Sequence, residues 1–359
     1  KALAKLYSLT SLTVHPDNEI FDSRNNCNAI VETATNKIIV GHEKTVYDET
    51  ITAVGAYAFY SASKYVEAQT LVIPDTITQI DSNAYNFYAQ KIYNLTIPFI
   101  GENKEGTGEV KFSSIFGAQT KVVKVTVTGD TTIGSNAFNG QSELKEIIFQ
   151  GSASLIDYQA FYNCTKLTTI QLPKGLTTIG TAAFSSCIQL AKFEVPASVE
   201  TIGHQAFYYC TALKTITLNE GLVTIGRKAF EKCSALTSIT TPSSLRTIDE
   251  SAFTGCKVLA SVTLKEGLET INEKAFENCV KLTEIKLPNG LTTIGTSAFT
   301  GCTGLTKVYI PSTVTSMAGF IFSGNTTLTV YYQGSEVPTE WNKYWNSTNR
   351  PIKLNQTGF

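Results

Sequence analysis

The chain has 359 residues, of which 42% are hydrophobic and 16% are charged, a composition that buries a core and excludes a disordered chain. Its 29 basic and 30 acidic residues leave a net charge of −1, which excludes the overall basic charge of a nucleic-acid-binding protein and gives no support to a polybasic membrane-surface protein. No apolar run reaches the roughly 18 to 20 residues of a membrane-spanning helix, so we expect no transmembrane segment.

Residues 1–50 lack the repeat that dominates the rest of the chain. The segments 14–21, 28–33 and 37–41 contain short apolar runs bounded by polar residues, a pattern typical of short strands. We therefore predict strands and a hairpin that cap one open end of the structure.

Residues 51–123 carry worn copies of the repeat, separated by insertions such as 101–108. Ile51–Phe59 is a good copy, and in Ile80–Tyr85 a tyrosine replaces the expected phenylalanine. Phe112–Phe116 matches poorly. We expect Tyr85 to be a core residue.

Residues 124–330 contain a regular 23-residue repeat. An isoleucine lies five residues before most of its phenylalanines, a leucine lies six residues after each, and a cysteine lies three residues after seven of them. The phenylalanines are Phe138, Phe161, Phe184, Phe207, Phe230, Phe253, Phe276, Phe299 and Phe322. Such a fixed period indicates a solenoid, in which each unit buries its apolar face against its neighbours.

One unit, residues 167–187, illustrates the predicted coil. Alternation over 167–172 predicts a strand, and the following Pro-x-Gly predicts a turn. The position after Ile179 holds Gly, Asp or Asn in all eight units that carry this isoleucine, which we interpret as a helix cap or a site of positive φ. The predicted fold is therefore an α/β repeat solenoid, a right-handed stack of 23-residue coils with parallel sheets and short helical or 3₁₀ turns.

Residues 331–359 lack a further repeat and contain Trp341, Tyr344 and Trp345. We expect them to form the C-terminal cap, because each end of a solenoid exposes a cross-section of its core. The division is thus 1–50, 51–123, 124–330 and 331–359 within one continuous solenoid domain.

The repeat Leu-x-x-Ile-x-Leu-Pro-x-x-Leu-x-x-Ile-Gly-x-x-Ala-Phe-x-x-Cys resembles that of the BspA-like, or Treponema-type, leucine-rich repeat proteins. Residues 124–330 fit it closely and 51–123 loosely, while 21–41 resembles an inserted hairpin of gut-bacterial members and 331–346 resembles the family's terminal coil. The resemblance implies a secreted or surface-anchored binder used in adhesion to host matrix proteins or to other cells. It brings no catalytic residues with it.

Seven of the eight cysteines fall in one column of the repeat, and Cys27 stands apart. A metal site needs clusters such as Cys-x-x-Cys, which are absent from the sequence. Stacked coils bring Cα atoms within disulfide range, but parallel Cβ vectors and an odd number disfavour bridges. We predict that the column packs a tight corner as small apolar residues.

The sequence supports no catalytic, cofactor or metal site. His15, His42 and His204 lie far apart, without partners at a recognisable spacing, and phosphate-binding glycine motifs are absent. A glycan hydrolase needs two carboxylates facing one cleft, and the sequence has no such paired motif.

Two surfaces are candidates for partner binding. On the strands, outward residues are mostly Thr and Ser in the middle coils, which suits a soluble strand equally well, whereas later coils present Glu284, Lys286, Lys307 and Tyr309. Tyrosines that we expect to be exposed form the second candidate surface, namely Tyr88, Tyr93, Tyr208 and Tyr209.

These observations favour a non-enzymatic, monomeric, extracellular adhesion module that binds a host matrix or cell-surface protein, or a surface glycan, over an extended surface. One alternative is a structural spacer that presents another domain away from the cell, and a more distant one is an accessory protein for glycan binding or processing. Because the chain begins at Lys1 and holds one methionine, we expect any signal or anchor segment to lie outside it.

Overall fold

The computed structural model describes residues 10–42, 44–60, 70–86, 91–106 and 111–357. The chain divides into two compact units, Lys1–Ile156 with Thr169–Gly175, and Asp157–Thr168 with Leu176–Phe359. Each unit is a β-solenoid with parallel sheets. The predicted domain boundaries and the right-handed winding of the coils stay predictions.

The first unit contains eleven strands among its described residues, together with a 3₁₀ turn at Arg24–Asn26 and one short helix, α1, at Phe112–Phe116. The strands are β1 Phe21–Asp22, β2 Ile30–Glu32, β3 Lys37–Val40, β4 Ala53–Val54, β5 Thr70–Val72, β6 Gln79–Ile80, β7 Lys91–Ile97, β8 Lys121–Val127, β9 Glu146–Phe149, β10 Leu155–Ile156 and β11 Thr169–Gln171.

The predicted N-terminal hairpin is confirmed. Strands β1, β2 and β3 pair antiparallel in sequence, and β3 then pairs in parallel with β4, which starts the stack of coils. A second sheet, in the order β5, β7, β8, β9 and β11, is parallel throughout. Tyr85 is a core residue, as predicted, and its ring stacks on that of Phe59 with 4.8 Å between centroids.

The second unit has fifteen strands among its described residues. They are β12 Thr178–Ile179, β13 Lys192–Val195, β14 Thr201–Ile202, β15 Thr215–Leu218, β16 Thr224–Ile225, β17 Ser238–Thr240, β18 Thr247–Ile248, β19 Ser261–Thr263, β20 Thr270–Ile271, β21 Glu284–Lys286, β22 Thr293–Ile294, β23 Lys307–Ile310, β24 Ser316–Met317, β25 Thr329–Tyr332 and β26 Ile352–Lys353.

These strands form two sides of the second unit's coils. The even-numbered strands from β12 to β24 pair in parallel, each offset from the last by one 23-residue repeat, as in Thr178↔Thr201. On the other side, three sheets follow one another, β13–β15, β17–β19 and β21–β23–β25–β26. This second side is called the strand face below.

The predicted inward columns are confirmed. The repeated Phe, Ile, Leu and Cys side chains of the second unit are buried, and Phe161 to Phe322 form one column of stacked rings. Successive ring centroids in it lie 5.2 to 5.9 Å apart. This column puts large apolar surfaces in contact across every coil, which compensates for the small core of each single repeat.

The prediction of short helical or 3₁₀ turns at the corners is wrong for the second unit. The corner segments there are hydrogen-bonded turns, because alternate backbone N–H groups bond to the next coil rather than along the chain. The N–H groups of Ala182, Phe184 and Ser186 donate to the carbonyl oxygens of His204, Ala206 and Tyr208. Positive φ at Ala182 (53°) and Ser186 (63°) further prevents a helix.

The interpretation of the Gly, Asp or Asn position is also wrong, because positive φ lies two residues later in each corner. The glycines serve close stacking instead. A Cβ on Gly203 would lie 2.8 Å from the carbonyl carbon of Gly180, one coil earlier. Close approach of two backbones, rather than backbone strain, requires glycine here.

The C-terminal residues cover the end of the ring column. Trp341 and Trp345 are buried, and the ring of Trp345 lies edge-on to that of Phe322, with 6.4 Å between centroids. Strand β26 pairs in parallel with β25, so this segment forms a last coil. In the parts of the chain that the structure describes, no helix has the length and apolar character needed to cross a lipid bilayer.

Candidate functional site

The structure brings together four of the eight candidate residues. Glu284 and Lys286 lie on β21 directly beside Lys307 and Tyr309 on β23, in the register Glu284↔Lys307 and Lys286↔Tyr309. The others lie elsewhere: Tyr208 and Tyr209 are at a corner of an earlier coil, Tyr93 is on β7 of the first unit, and Tyr88 lies outside the described residues.

Four side chains on the strand face form a continuous row, called the tyrosine ladder, made of Lys286, Tyr309, Tyr331 and Lys353. They occupy matching positions on β21, β23, β25 and β26. The two phenol rings stack with centroids 4.8 Å apart. Lys286 Nζ lies 5.5 Å from the Tyr309 centroid, and Lys353 Nζ lies 5.1 Å from the Tyr331 centroid.

Sequence analysis missed Tyr331 and Lys353. The register between β23 and β25 pairs Tyr309 with Tyr331, an offset of 22 residues, and a second offset of 22 leads to Lys353. An offset of 22 is one residue shorter than the repeat, so neither Tyr331 nor Lys353 falls in a 23-residue column. A search that allowed one deletion directly after Leu328 would have found the tyrosine pair.

The charged residues on and beside the ladder differ in their ion pairs. Lys307 Nζ lies 3.9 Å from Glu284 Oε2, a weak and exposed ion pair. Within the described residues, neither Lys286 nor Lys353 forms an ion pair. Cation–π contacts, worth about 0.5–1 kcal/mol at exposed sites, hold both ammonium groups against the rings.

A groove of about 700 Å³ adjoins the ladder. It lies where the two-stranded sheet β17–β19 gives way to the four-stranded sheet that begins at β21. Its lining mixes apolar and polar groups and includes Thr263, Leu264, Glu266, Lys286, Leu287 and Asn289. Asn289 Nδ2 lies 3.4 Å from Glu266 Oε1, so the amide bridges two coils along the wall.

Tyr208 and Tyr209 form a separate and smaller cluster at a corner. Their ring centroids lie 6.1 Å apart, and 46% of Tyr209 is exposed, whereas Tyr208 is half-buried. Lys232 Nζ donates to the Tyr208 hydroxyl at 3.2 Å, and this hydrogen bond raises the pKa of Lys232. The Tyr208 hydroxyl thus already has a hydrogen-bond partner within the chain.

Tyr93 is exposed on β7 with Lys91 over its ring, the Nζ lying 5.5 Å from the centroid. Lys91 also donates to Glu143 at 2.6 Å, which raises the pKa of the lysine. In contrast to Lys286, this lysine has a carboxylate partner.

The family described as the BspA-type leucine-rich repeat region matches residues 21–127, 131–258 and 223–347. The chain belongs to this family. Solenoids of leucine-rich repeats are typical of protein-binding modules. No curated protein is significantly similar to the chain in sequence.

Solved structures of other leucine-rich repeat proteins are similar to this member of the BspA-type family. A protein from Bacteroides ovatus is 20% identical, with 93% of this chain and 97% of that chain covered and a TM-score of 0.60. A cell-surface protein from Faecalibacterium prausnitzii is 19% identical, covering 98% and 100% at a TM-score of 0.35. The pneumococcal vaccine antigen PcpA is 20% identical, covering 89% and 87% at 0.44.

The cysteine column of the BspA-type repeats is buried, and all eight cysteines are free thiols. Desolvation raises the pKa of Cys210, Cys256 and Cys302 to about 12. A thiol with such a pKa stays protonated at neutral pH and is a poor nucleophile. The predicted packing role is therefore confirmed.

The sequence analysis found no metal-ligand cluster, and the described residues agree on this point for His, Cys, Asp and Glu. Within this described part of the chain, no three His, Cys, Asp or Glu side chains converge in a way that could hold a metal ion. His204 lies at a corner of the second unit, and His42 contacts Asn28 in the N-terminal hairpin at 3.0 Å.

Proposed function

We propose that this chain is a non-enzymatic binding module of the cell exterior that holds a protein partner on the strand face of its last coils. The partner is a host matrix or cell-surface protein, or a protein of another microbe, and the biological role is adhesion. The observation that carries the proposal is the tyrosine ladder beside the groove.

The composition of the ladder supports this choice of surface. Tyrosines are enriched among residues that dominate binding energy in protein interfaces, and exposed threonines are not. The middle strands β15, β17 and β19 present Thr and Ser outward. The strands β23 and β25, by contrast, carry Tyr309 and Tyr331, and Lys286 beside Tyr309 lines a recess that can accept a partner's side chain.

The stacking of the ladder favours protein over sugar as the partner. A sugar ring binds an aromatic side chain by lying on its flat face. Here Tyr309 and Tyr331 cover each other's inner faces, and Lys286 and Lys353 lie over the outer ones. The Tyr331 hydroxyl group and the two ammonium groups suit hydrogen bonds and charge pairs with a polypeptide.

Location outside the cell is part of the same proposal. It is supported by membership of the BspA-type family and by the resemblance of the repeat to those of secreted and surface-anchored binders. The buried cysteines, which form no disulfides, are compatible with such a location, because burial shields their thiols from oxidants.

The test is binding of the purified chain to immobilised matrix proteins, intact host and microbial cells and a glycan array. We expect saturable binding to at least one protein or cell surface. The double substitution Tyr309→Ala and Tyr331→Ala should weaken it at least tenfold. Tyr158→Ala is the matched control, because this tyrosine is 45% exposed in the same unit but away from the ladder.

Two results would overturn the proposal. Absence of binding to every protein and cell at micromolar concentration would favour the spacer. Binding to glycans alone, unchanged by the ladder substitutions, would favour a glycan-binding protein whose site lies elsewhere.

A further inference from the structure

The ladder's two terminal lysines define a spacing that a ligand must match. Lys286 and Lys353 are separated by three strand steps, from β21 through β23 and β25 to β26. At about 4.8 Å per step, the two positions lie roughly 14 Å apart along the stacking direction. Both ammonium groups are held against aromatic rings, and the structure gives neither of them a carboxylate partner among the described residues.

From this spacing we infer that the ladder binds an extended acidic segment of a protein, laid across the strands, with two carboxylates four residues apart. An extended chain rises about 3.3 Å per residue, so residues i and i+4 lie about 13 Å apart and project to the same side. One carboxylate then meets Lys286 and the other meets Lys353. The inference rests on the proposed function, since it names the partner of the same surface.

The middle of the ladder suits the backbone of such a segment. Between the two lysines, the hydroxyl group of Tyr331 can donate to a carbonyl oxygen of the crossing chain. Because the rings stack on each other and under the lysines, these four groups are ordered before the ligand arrives, which reduces the entropy lost on binding.

The local charge also points to an acidic ligand. On β21, β23, β25 and β26 the outward charged residues are Lys286, Lys307 and Lys353 against Glu284 alone, a net charge of +2. The groove beside them has apolar walls at Leu264 and Leu287. An apolar side chain next to the acidic residues of a polypeptide can occupy this groove. A sulfated polysaccharide has no such side chain.

The inference is tested with fluorescent synthetic peptides and the full chain at two salt concentrations. The probe carries two glutamates four residues apart and one leucine in a Ser/Thr background. Matched peptides place the glutamates two residues apart or replace both by glutamine. We expect the first peptide to bind at least fivefold more tightly than either matched peptide, and more weakly at high salt.

Charge removal on the protein completes the test. Lys286→Gln with Lys353→Gln should weaken peptide binding about tenfold, and the double arginine variant should restore it. Lys192→Gln with Lys257→Gln removes the same charge from exposed lysines elsewhere in the unit and should leave binding unchanged.

Three outcomes would overturn the inference. They are equal affinity for the peptides with either glutamate spacing, an unchanged affinity in the double glutamine variant, and a heparin oligosaccharide that binds the ladder more tightly than the peptide does. If the chain still binds a matrix protein through Tyr309 and Tyr331, the proposed function stands while this inference fails. Loss of all protein binding contradicts both.

Discussion

The thiol of Cys210 donates a hydrogen bond to the carbonyl oxygen of Phe184, one coil earlier, with 3.1 Å between Sγ and oxygen. The same contact recurs along the column, for example from Cys233 to Phe207 at 3.2 Å. Where the column ends, Asn325 takes the position, and its Nδ2 donates to the Phe299 carbonyl oxygen at 3.0 Å. The column is therefore a row of hydrogen-bond donors that join successive coils as well as a row of small apolar groups.

Replacing Cys210 separates these two roles. Cys210→Ala removes the donor and leaves a small cavity, and we expect it to lower the free energy of unfolding by about 1–2 kcal/mol. Cys210→Ser keeps a donor and should cost less. Urea denaturation of both variants checks this, and equal losses would mean that packing alone matters at this position.

The ring column should be sensitive to truncation in mid-stack. The ring of Phe207 stacks between those of Phe184 and Phe230, with 5.3 Å between centroids on each side, and meets Phe193 edge-on at 4.8 Å. Phe207→Ala should therefore lower the free energy of unfolding by about 3–5 kcal/mol. Phe207→Leu is the control, since it retains most of the volume and should cost less. A urea midpoint equal to that of the wild type would contradict the inward register.

Alkaline pH should destabilise the fold through the same buried thiols. Burial raises the pKa of Cys210 and Cys256 from 9.0 to about 12. Between these values the unfolded chain releases thiol protons that the folded chain retains. The free energy of unfolding is therefore unaffected by these thiols below pH 9 and falls as the pH rises toward 12. Each thiol contributes a slope of about 1.4 kcal/mol per pH unit at most.

Unfolding free energies measured from pH 8 to pH 11 check this expectation. The variant Cys210→Ala should show a shallower fall than the wild type over that range, whatever its stability at pH 8. Parallel slopes for the two proteins would contradict the assignment of the fall to thiol ionisation.

Corner residues with positive φ offer a route to higher stability. Ser297 has a φ of 58° in the left-handed region, which favours glycine. We expect Ser297→Gly to raise the free energy of unfolding by about 0.5–1 kcal/mol. Thr296→Gly, at the preceding residue, serves as the control and should be destabilising. Thermal unfolding of the two variants measures the difference, and a loss of stability in Ser297→Gly would contradict the explanation.

The buried columns were predictable because a 23-residue period makes each coil's environment the same as the next. Phe207 and Cys210 could therefore be placed inside from spacing alone, and the N-terminal hairpin from its short apolar runs. The hydrogen bond from each thiol was not visible in the sequence, because it depends on the position of a carbonyl group in a neighbouring coil.

The corner geometry and half of the ladder were missed for different physical reasons. The recurrence of Gly, Asp or Asn at the repeat position of Gly203 suggests backbone freedom, but only the structure reveals the neighbouring backbone that excludes a Cβ. Tyr331 and Lys353 escape the periodic columns through a one-residue deletion, and they gain their roles by pairing across strands. Periodicity thus predicts the core well, whereas surface sites arise where the period breaks.

The in-register stacking of the coils has an evolutionary consequence. Each of Phe207, Phe230 and Phe253 meets neighbours of the same kind at nearly the same distance, so the loss of one whole repeat would rejoin equivalent partners. Genetic recombination between repeats can therefore change the length of the protein without a new core having to be invented. The ladder at the C-terminal coils would be unchanged by such events, and the number of coils that precede it in the second unit would become the variable on which selection acts.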